Sequence, residues 1–251
     1  LLERDGALQA TWGGSPIRDA ATGRYHLFFS WFEMPDNSTV PTIKWWYNTS
    51  RVAHAVSEYP DRGFEFESVV LPPRGPAFFD GSTTHCPTVL QLPDGSYALF
   101  YIGLNCHNFT GADADTHQSE CIKHQWIGAA HATSLDGPWE RLPQPVLSGR
   151  GHHDKAGKPA GSWEGGMVSN PAVVALRNGT LLMAYRGLED RGMGMATSPA
   201  WNGPFRRLNG GAAVLGPASP AHTAVDEDPT MWLSPGGTVQ MILHQEGVGG
   251  G

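Results

Sequence analysis

Acidic side chains have the plainest capacity for chemistry in this chain. A run of three, Asp226-Glu227-Asp228, precedes Pro229, and single acids stand at Asp80 and Glu164. Three adjacent carboxylates repel one another unless a cation, an arginine or a ligand compensates them. Carboxyl groups crowded into a cleft split their pKa values, one protonated and another ionised, which paired acid–base work requires. Each acid alone also reads as a solvated loop residue or a turn cap. Arg186 closes an otherwise apolar stretch, Leu181 to Arg186, so a partner is expected for it. The acid run is the obvious one, either for chemistry or as a structural salt bridge. His85, Asn170 and His244 could orient a polar ligand. Trp12, Trp31 and Trp163 could stack on a ring-shaped ligand, and each reads equally as core. Trp45-Trp46-Tyr47 reads as a cleft rim or as packing. His152-His153-Asp154 has metal-ligand residue types without a helix to set their spacing, so no metal is assigned to it. The three cysteines, Cys86, Cys106 and Cys121, lack the C-x-x-C spacing of a zinc or redox site. A disulfide between Cys106 and Cys121 could close the polar insertion from Asn105 to Lys123. Cys86 reads as a small apolar group.

The elements that must position these groups repeat. Four copies begin at a Pro followed by a short apolar strand: Gly14-Ser15-Pro16-Ile17, His85-Cys86-Pro87-Thr88-Val89, Ser169-Asn170-Pro171-Ala172-Val173 and Glu227-Asp228-Pro229-Thr230-Met231. Each reaches a turn, at Ala21-Thr22-Gly23, Pro93-Asp94-Gly95, Arg177-Asn178-Gly179 and Pro235-Gly236-Gly237. Asp-Gly and Asn-Gly suit the positive φ of type I′ hairpins. Second strands end at Ser30, Ile102, Arg186 and His244, which are 14, 15, 15 and 15 residues past their Pro. Third strands recur as Val52-Ala53-His54-Ala55, Ala129-Ala130-His131-Ala132 and Gly194-Met195-Ala196-Thr197. Then come a turn with an aromatic (Arg62-Gly63-Phe64, Gly137-Pro138-Trp139, Gly203-Pro204-Phe205) and a closing strand at Leu71, Leu147 and Leu215.

A lone four-stranded meander cannot bury its faces, so copies must stack. Radial stacking predicts an all-β, five-bladed β-propeller, present here as about three and a half blades. A β-sandwich is the alternative, but it does not explain the fixed strand order. The expectation is one domain over 1–251, with blades at about 12–72, 83–148, 168–216 and a partial 226–246, truncated at the C-terminus. First strands line the axis of a propeller. The acids of three blades are therefore expected to converge there, where ligand pockets form.

The formal net charge is −7, which argues against a nucleic-acid binder. No apolar run approaches the ~18 residues that span a bilayer. Gly at 32 and Pro at 20 disfavour long helices. Four sequons, at Asn37, Asn48, Asn108 and Asn178, point to a secreted glycoprotein.

Strand-entrance Pro motifs, Asp-Gly hairpins and the Gly137-Pro138-Trp139 type of strand end resemble the five-bladed propellers of glycoside hydrolase family 43 and its sucrose-hydrolase relatives. Ser169-Asn170-Pro171, Ala184-Tyr185-Arg186-Gly187 and Glu227-Asp228-Pro229 also resemble mannoside phosphorylases. The resemblance implies a carbohydrate substrate cut by carboxylates in an axial pocket, with inversion. Glu227 matches the acid, Ser15 stands at the base position and Asn170 at the pKa-tuning position. On this reading Glu227 is the general acid, kept protonated by its acidic neighbours. Asp228 or Asp80 is the base or its helper, and Glu164 a third member. His85, Asn170, Arg186, His244, Trp12, Trp163 and Asp226 bind substrate. No cofactor is expected beyond a structural calcium that an axial channel could hold, and the full-length protein is expected to be a monomer. Two rivals are a glycan-binding propeller without catalysis, favoured by Ser15 and Asn170, and a protein–protein scaffold.

Overall fold

The structure is a computed structural model that describes residues 2–4, 7–33, 46–107, 120–153, 159–160, 162–187, 192–215 and 225–246. It is built almost wholly of antiparallel strands. After a hairpin of β1 (Leu2–Arg4) and β2 (Ala7–Gln9), the first blade runs through β3 (Thr11–Arg18), β4 (Tyr25–Phe32), β5 (Ser50–Ser57) and β6 (Glu65–Leu71). A single helical turn, α1 (Trp46–Thr49), leads into β5. The second blade is β7 (Thr83–Gln91), β8 (Tyr97–Leu104), β9 (Trp126–Ala132) and β10 (Glu140–Arg141), with a further bridge from Ile127 to Leu147. A short hairpin of β11 (His152–His153) and β12 (Pro159–Ala160) follows. The third blade is β13 (Val168–Ala175), β14 (Leu181–Gly187), β15 (Met193–Ser198) and β16 (Arg206–Arg207), with Met193 bridged to Leu215. The last sheet pairs β17 (Val225–Leu233) with β18 (Val239–Glu246).

Each blade is sealed to the next by apolar side chains. Phe28, Val52 and Leu71 meet Val89, Leu99, Tyr101 and Leu135 at the first seam. Phe100, Ile127 and Leu147 meet Val168, Met183 and Tyr185 at the second. Ala172, Ala184 and Met193 meet Met231, Met241 and Leu243 at the third. Burying one such large side chain stabilises by roughly 1.5–3 kcal/mol, so the seams hold the blades together. Blade two has a neighbour on each face, and every residue of β8 is buried. In β18 alternate residues face opposite ways: Met241 and Leu243 pack on blade three, while Ile242 is 62% exposed. The inner strands β3, β7, β13 and β17 pack side by side. This is propeller geometry, and the β-sandwich alternative fails.

Two sequence expectations change in detail. At Asp94-Gly95 and Asn178-Gly179 only the glycine takes a positive φ, 87° and 83°, so the hairpins do not use type I′ turns. More consequential is the landmark shared by the inner strands, which is a β-bulge. Pairing skips between Trp12 and Ser15, His85 and Thr88, Ser169 and Ala172, and Glu227 and Thr230. The first inserted residue is left-handed in every blade: Gly13 (φ 57°), Cys86 (φ 45°), Asn170 (φ 47°) and Asp228 (φ 49°). Pro87, Pro171 and Pro229 therefore correspond to Gly14, and blade one is read two residues out of register if Pro16 is taken as its landmark. Ser15 matches Thr88, Ala172 and Thr230 instead. The Cys106–Cys121 disulfide is formed.

Candidate functional site

The four bulges surround an axial hollow of about 310 Å³, lined by Gly13 to Pro16, Cys86 to Val89, Asn170 to Val173 and Asp228 to Met231. A β-bulge re-aims the side chain it displaces. Here it brings three of the four left-handed residues into contact. Asn170 Nδ2 donates to Asp228 Oδ1. Cys86 Sγ lies 3.9 Å from the same oxygen and 3.7 Å from Asn170 Nδ2. Burial and the nearby carboxylates push the Cys86 thiol well up, so it is an inert wall group. Gly13 brings no side chain. A Cβ there would meet Cys86 Sγ at an ordinary 3.7 Å, so the fourth place is open.

Beside the hollow, Glu227 is bonded by Arg186 Nη1, and His244 Nδ1 lies 3.9 Å from its other oxygen. The register makes this meeting: Ser169 pairs with Arg186 in blade three and Glu227 with His244 in blade four. Arg186 is thus the counter-charge that the acid run required. The expectation that acidic neighbours keep Glu227 protonated is replaced by contact with a guanidinium, which stabilises a carboxylate. Arg186 Nε is buried without a protein partner among the described residues. The side chain of Asp226 lies outside the described residues, as do Trp45 and the side chains of His152-His153-Asp154.

Asp80 and Glu164 are corrections. Both are fully buried, and neither lines the hollow. Asp80 accepts from Arg74 Nε (2.7 Å), Arg141 Nη1 (3.1 Å) and Tyr101 Oη (2.8 Å). Glu164 accepts from Arg207 Nε (2.6 Å) and Nη2 (2.7 Å) and from Tyr185 Oη (2.7 Å), with Arg150 Nε at 3.5 Å. These are equivalent clamps in consecutive blades. Burial and then the adjacent carboxylate raise the Tyr101 and Tyr185 hydroxyls. A carboxylate whose oxygens are filled by arginine and tyrosine ties together the segments that carry those partners. A sequence signal existed: Arg141 and Arg207 both stand four residues after the Gly of their Gly-Pro-aromatic turns.

Two further expectations change. His85 is buried, its Nδ1 is 2.7 Å from Ser50 Oγ, and its ring stacks on Trp46 at 4.7 Å, so it faces blade one and does not orient a ligand in the hollow. Trp163 stacks on Tyr185 and donates to Gly211 O at 2.9 Å. Gly187 and Gly194 make room for its ring, so it serves as packing. Trp12 packs near Cys86 and Ile102, one residue before its bulge, and Trp31 is core. A calcium at the axis would want six to eight oxygens. Glu227, Asp228 and His244 offer three ligand atoms, with Arg186 already on Glu227, and this set does not fit that ion.

The fold is that of the propeller glycoside hydrolases. Zg3597, a family 117 glycoside hydrolase of the marine bacterium Zobellia galactanivorans, superposes with a TM-score of 0.68 at 18% identity, covering 95% of this chain and 64% of its own. A thermostable family-43 glycoside hydrolase gives 0.61 at 18%, covering 94% and 65%. Fructan 1-exohydrolase IIa from Cichorium intybus gives 0.62 at 16%, covering 94% and 40%. The chain thus spans less than two thirds of the length of each of these structures. No family profile and no curated protein matches the sequence.

Proposed function

We propose that this protein acts on a glycan taken at the axial hollow, and that it is a secreted glycoside hydrolase whose carboxylates are Glu227 and Asp228. The observation that carries the reading is the contact of Asn170 with Asp228 in the lining of that hollow, with the Arg186–Glu227 pair beside it. Such donors and acceptors match the hydroxyls of a sugar. Asp228 faces the hollow and is held by Asn170, and it would take a proton from water. Glu227 would take up a proton from solvent once a bound sugar displaces Arg186 from it, and would then hand that proton to the glycosidic oxygen. The disulfide and the exposed sequon residues Asn48 and Asn178 support the secretory part.

A specific observation favours a second reading, glycan binding without cleavage. Among the described residues no carboxylate from blades one to three lines the hollow. Inversion needs an acid and a base roughly 6.5–9.5 Å apart with water between them.

Screening a panel of aryl glycosides and polysaccharides for binding and for product release separates the two readings. Hydrolysis predicts product release that falls about 10²–10⁴-fold in Glu227→Gln and in Asp228→Asn. Binding with no product over long incubation selects the second reading. No sugar binding at all removes both.

A further inference from the structure

Away from the hollow, the turn ends of blades one and two bring together His26 of β4, His54 of β5 and Asp136 of the β9–β10 turn. His26 Nδ1 and His54 Nε2 are 2.8 Å apart, and the two rings lie within 13° of parallel. Asp136 Oδ1 is 3.9 Å from His26 Nδ1. One ligand atom from each residue falls within 4.8 Å of the others. We propose that His26, His54 and Asp136 form a binding site for a transition-metal dication of the zinc class, joining blade one to blade two.

Several observations support the site. Both imidazoles are almost wholly buried, at 4% and 2% exposure, while Asp136 opens to solvent. An entry path therefore exists on the aspartate side. Asp19, Glu67 and Asp136 add negative potential around His26, opposed by Arg24. The aspartate is also held in place. Leu135 is buried in the first seam, Asp136 N bonds to Ser134 Oγ at 3.2 Å, and Gly137 N bonds to Ser134 O at 3.0 Å.

Two imidazoles and a carboxylate suit zinc, copper or nickel, and they disfavour calcium and magnesium, which take oxygen ligands. Tetrahedral zinc with bonds of about 2.0 Å sets its ligand atoms about 3.3 Å apart. The histidine nitrogens would spread by about 0.5 Å and the aspartate would close on His26 by a similar distance. The imidazole that donates in this contact would move its proton to its far ring nitrogen, so that both facing nitrogens present a lone pair. Water would fill the fourth position.

The test is zinc chloride added to the metal-stripped chain, read by calorimetry and by thermal unfolding, with magnesium and calcium as controls. The expected result is one bound equivalent. The melting midpoint should rise by roughly 5–10 °C when metal exceeds its dissociation constant a hundred-fold. Magnesium and calcium should give no shift. Asp136→Asn, at an exposed position, should weaken binding at least ten-fold, and His54→Gln should abolish it. If His54→Gln does not fold, Asp136→Asn decides alone. His244→Gln, at the axial cluster, should leave binding intact. Failure of zinc to bind, retention of full affinity in Asp136→Asn, or loss of binding in His244→Gln would each overturn the proposal. A missing sugar activity would not bear on it.

Discussion

Asn170 and Asp228 meet side chain to side chain across the seam between blades three and four, and each is held by the same left-handed bulge. Backbone geometry and hollow chemistry therefore share four positions, one per blade, and the first prediction concerns them. A β-branched residue tolerates positive φ poorly. Asn170→Val should cost about 1–3 kcal/mol, read as a lower urea midpoint, whereas Asn170→Gly should cost far less. Gly13→Asp should fold nearly as well as wild type, because Asp228 shows that an aspartate accepts this backbone. It would add a carboxylate from blade one, and product release from the best substrate should rise. A Gly13→Asp protein with unchanged hydrolysis would show that the open place is not a catalytic vacancy.

The second prediction separates structure from chemistry. Glu164→Gln leaves Arg207 and Arg150 without their buried acid, and Asp80→Asn does the same to Arg74 and Arg141. Breaking a buried ion cluster by removing one partner costs about 3–5 kcal/mol. Chemical denaturation should show that loss, while sugar affinity at the hollow stays within two-fold for any variant that remains folded. A ten-fold loss of affinity in a folded variant would place these acids back among the ligand-binding groups.

A third prediction follows from His85. Burial pushes its pKa down to about 3, against about 6.5 in an unfolded chain. Between those values the unfolded chain binds a proton that the folded chain refuses. Stability should therefore be full above pH 6.5 and fall steadily as pH drops toward 3. This group contributes a loss of order 4 kcal/mol by the lower limit. Thermal midpoints measured from pH 7.5 to 3.5 check this, and His85→Gln should flatten the slope. An equal slope in that variant would assign the acid sensitivity elsewhere.

The fourth prediction concerns the disulfide. Cys106 and Cys121 are 15 residues apart, and closing a loop of that size restricts the unfolded chain by about 3 kcal/mol. Cys106→Ser with Cys121→Ser, or mild reduction, should lower stability by up to that amount, as read in urea. Cys86 should stay unmodified by thiol reagents until the chain unfolds.

Much of the fold was legible because hairpins and strand order repeat in the sequence. The equivalence of Ser30, Ile102, Arg186 and His244 holds in the structure, since each pairs with the residue just before its bulge. Blade one departs from the proline pattern because its bulge is Gly13-Gly14, while Pro16 lies two residues further on. The site was legible only in part. Glu227 and Arg186 could be joined by their repeat positions. Asp80 and Glu164 cannot be placed by counting from a proline, which gives distance along the chain and not the direction of a side chain; only the matched positions of Arg141 and Arg207 point to their partners. Their arginine partners Arg141 and Arg207 lie 61 and 43 residues away in sequence. Cys86 packs as the small apolar group its sequence suggests, in a cluster with Ile102 and Leu104, and the bulge also turns it toward the hollow.

The bulges work as interchangeable sockets. Glycine, cysteine, asparagine and aspartate occupy four copies of one socket here without any change to the frame. A lineage carrying this scaffold can rewrite its central chemistry one spoke at a time, gaining or silencing a reactive group by a single exchange. Kinship in architecture and divergence in activity are then expected to travel together.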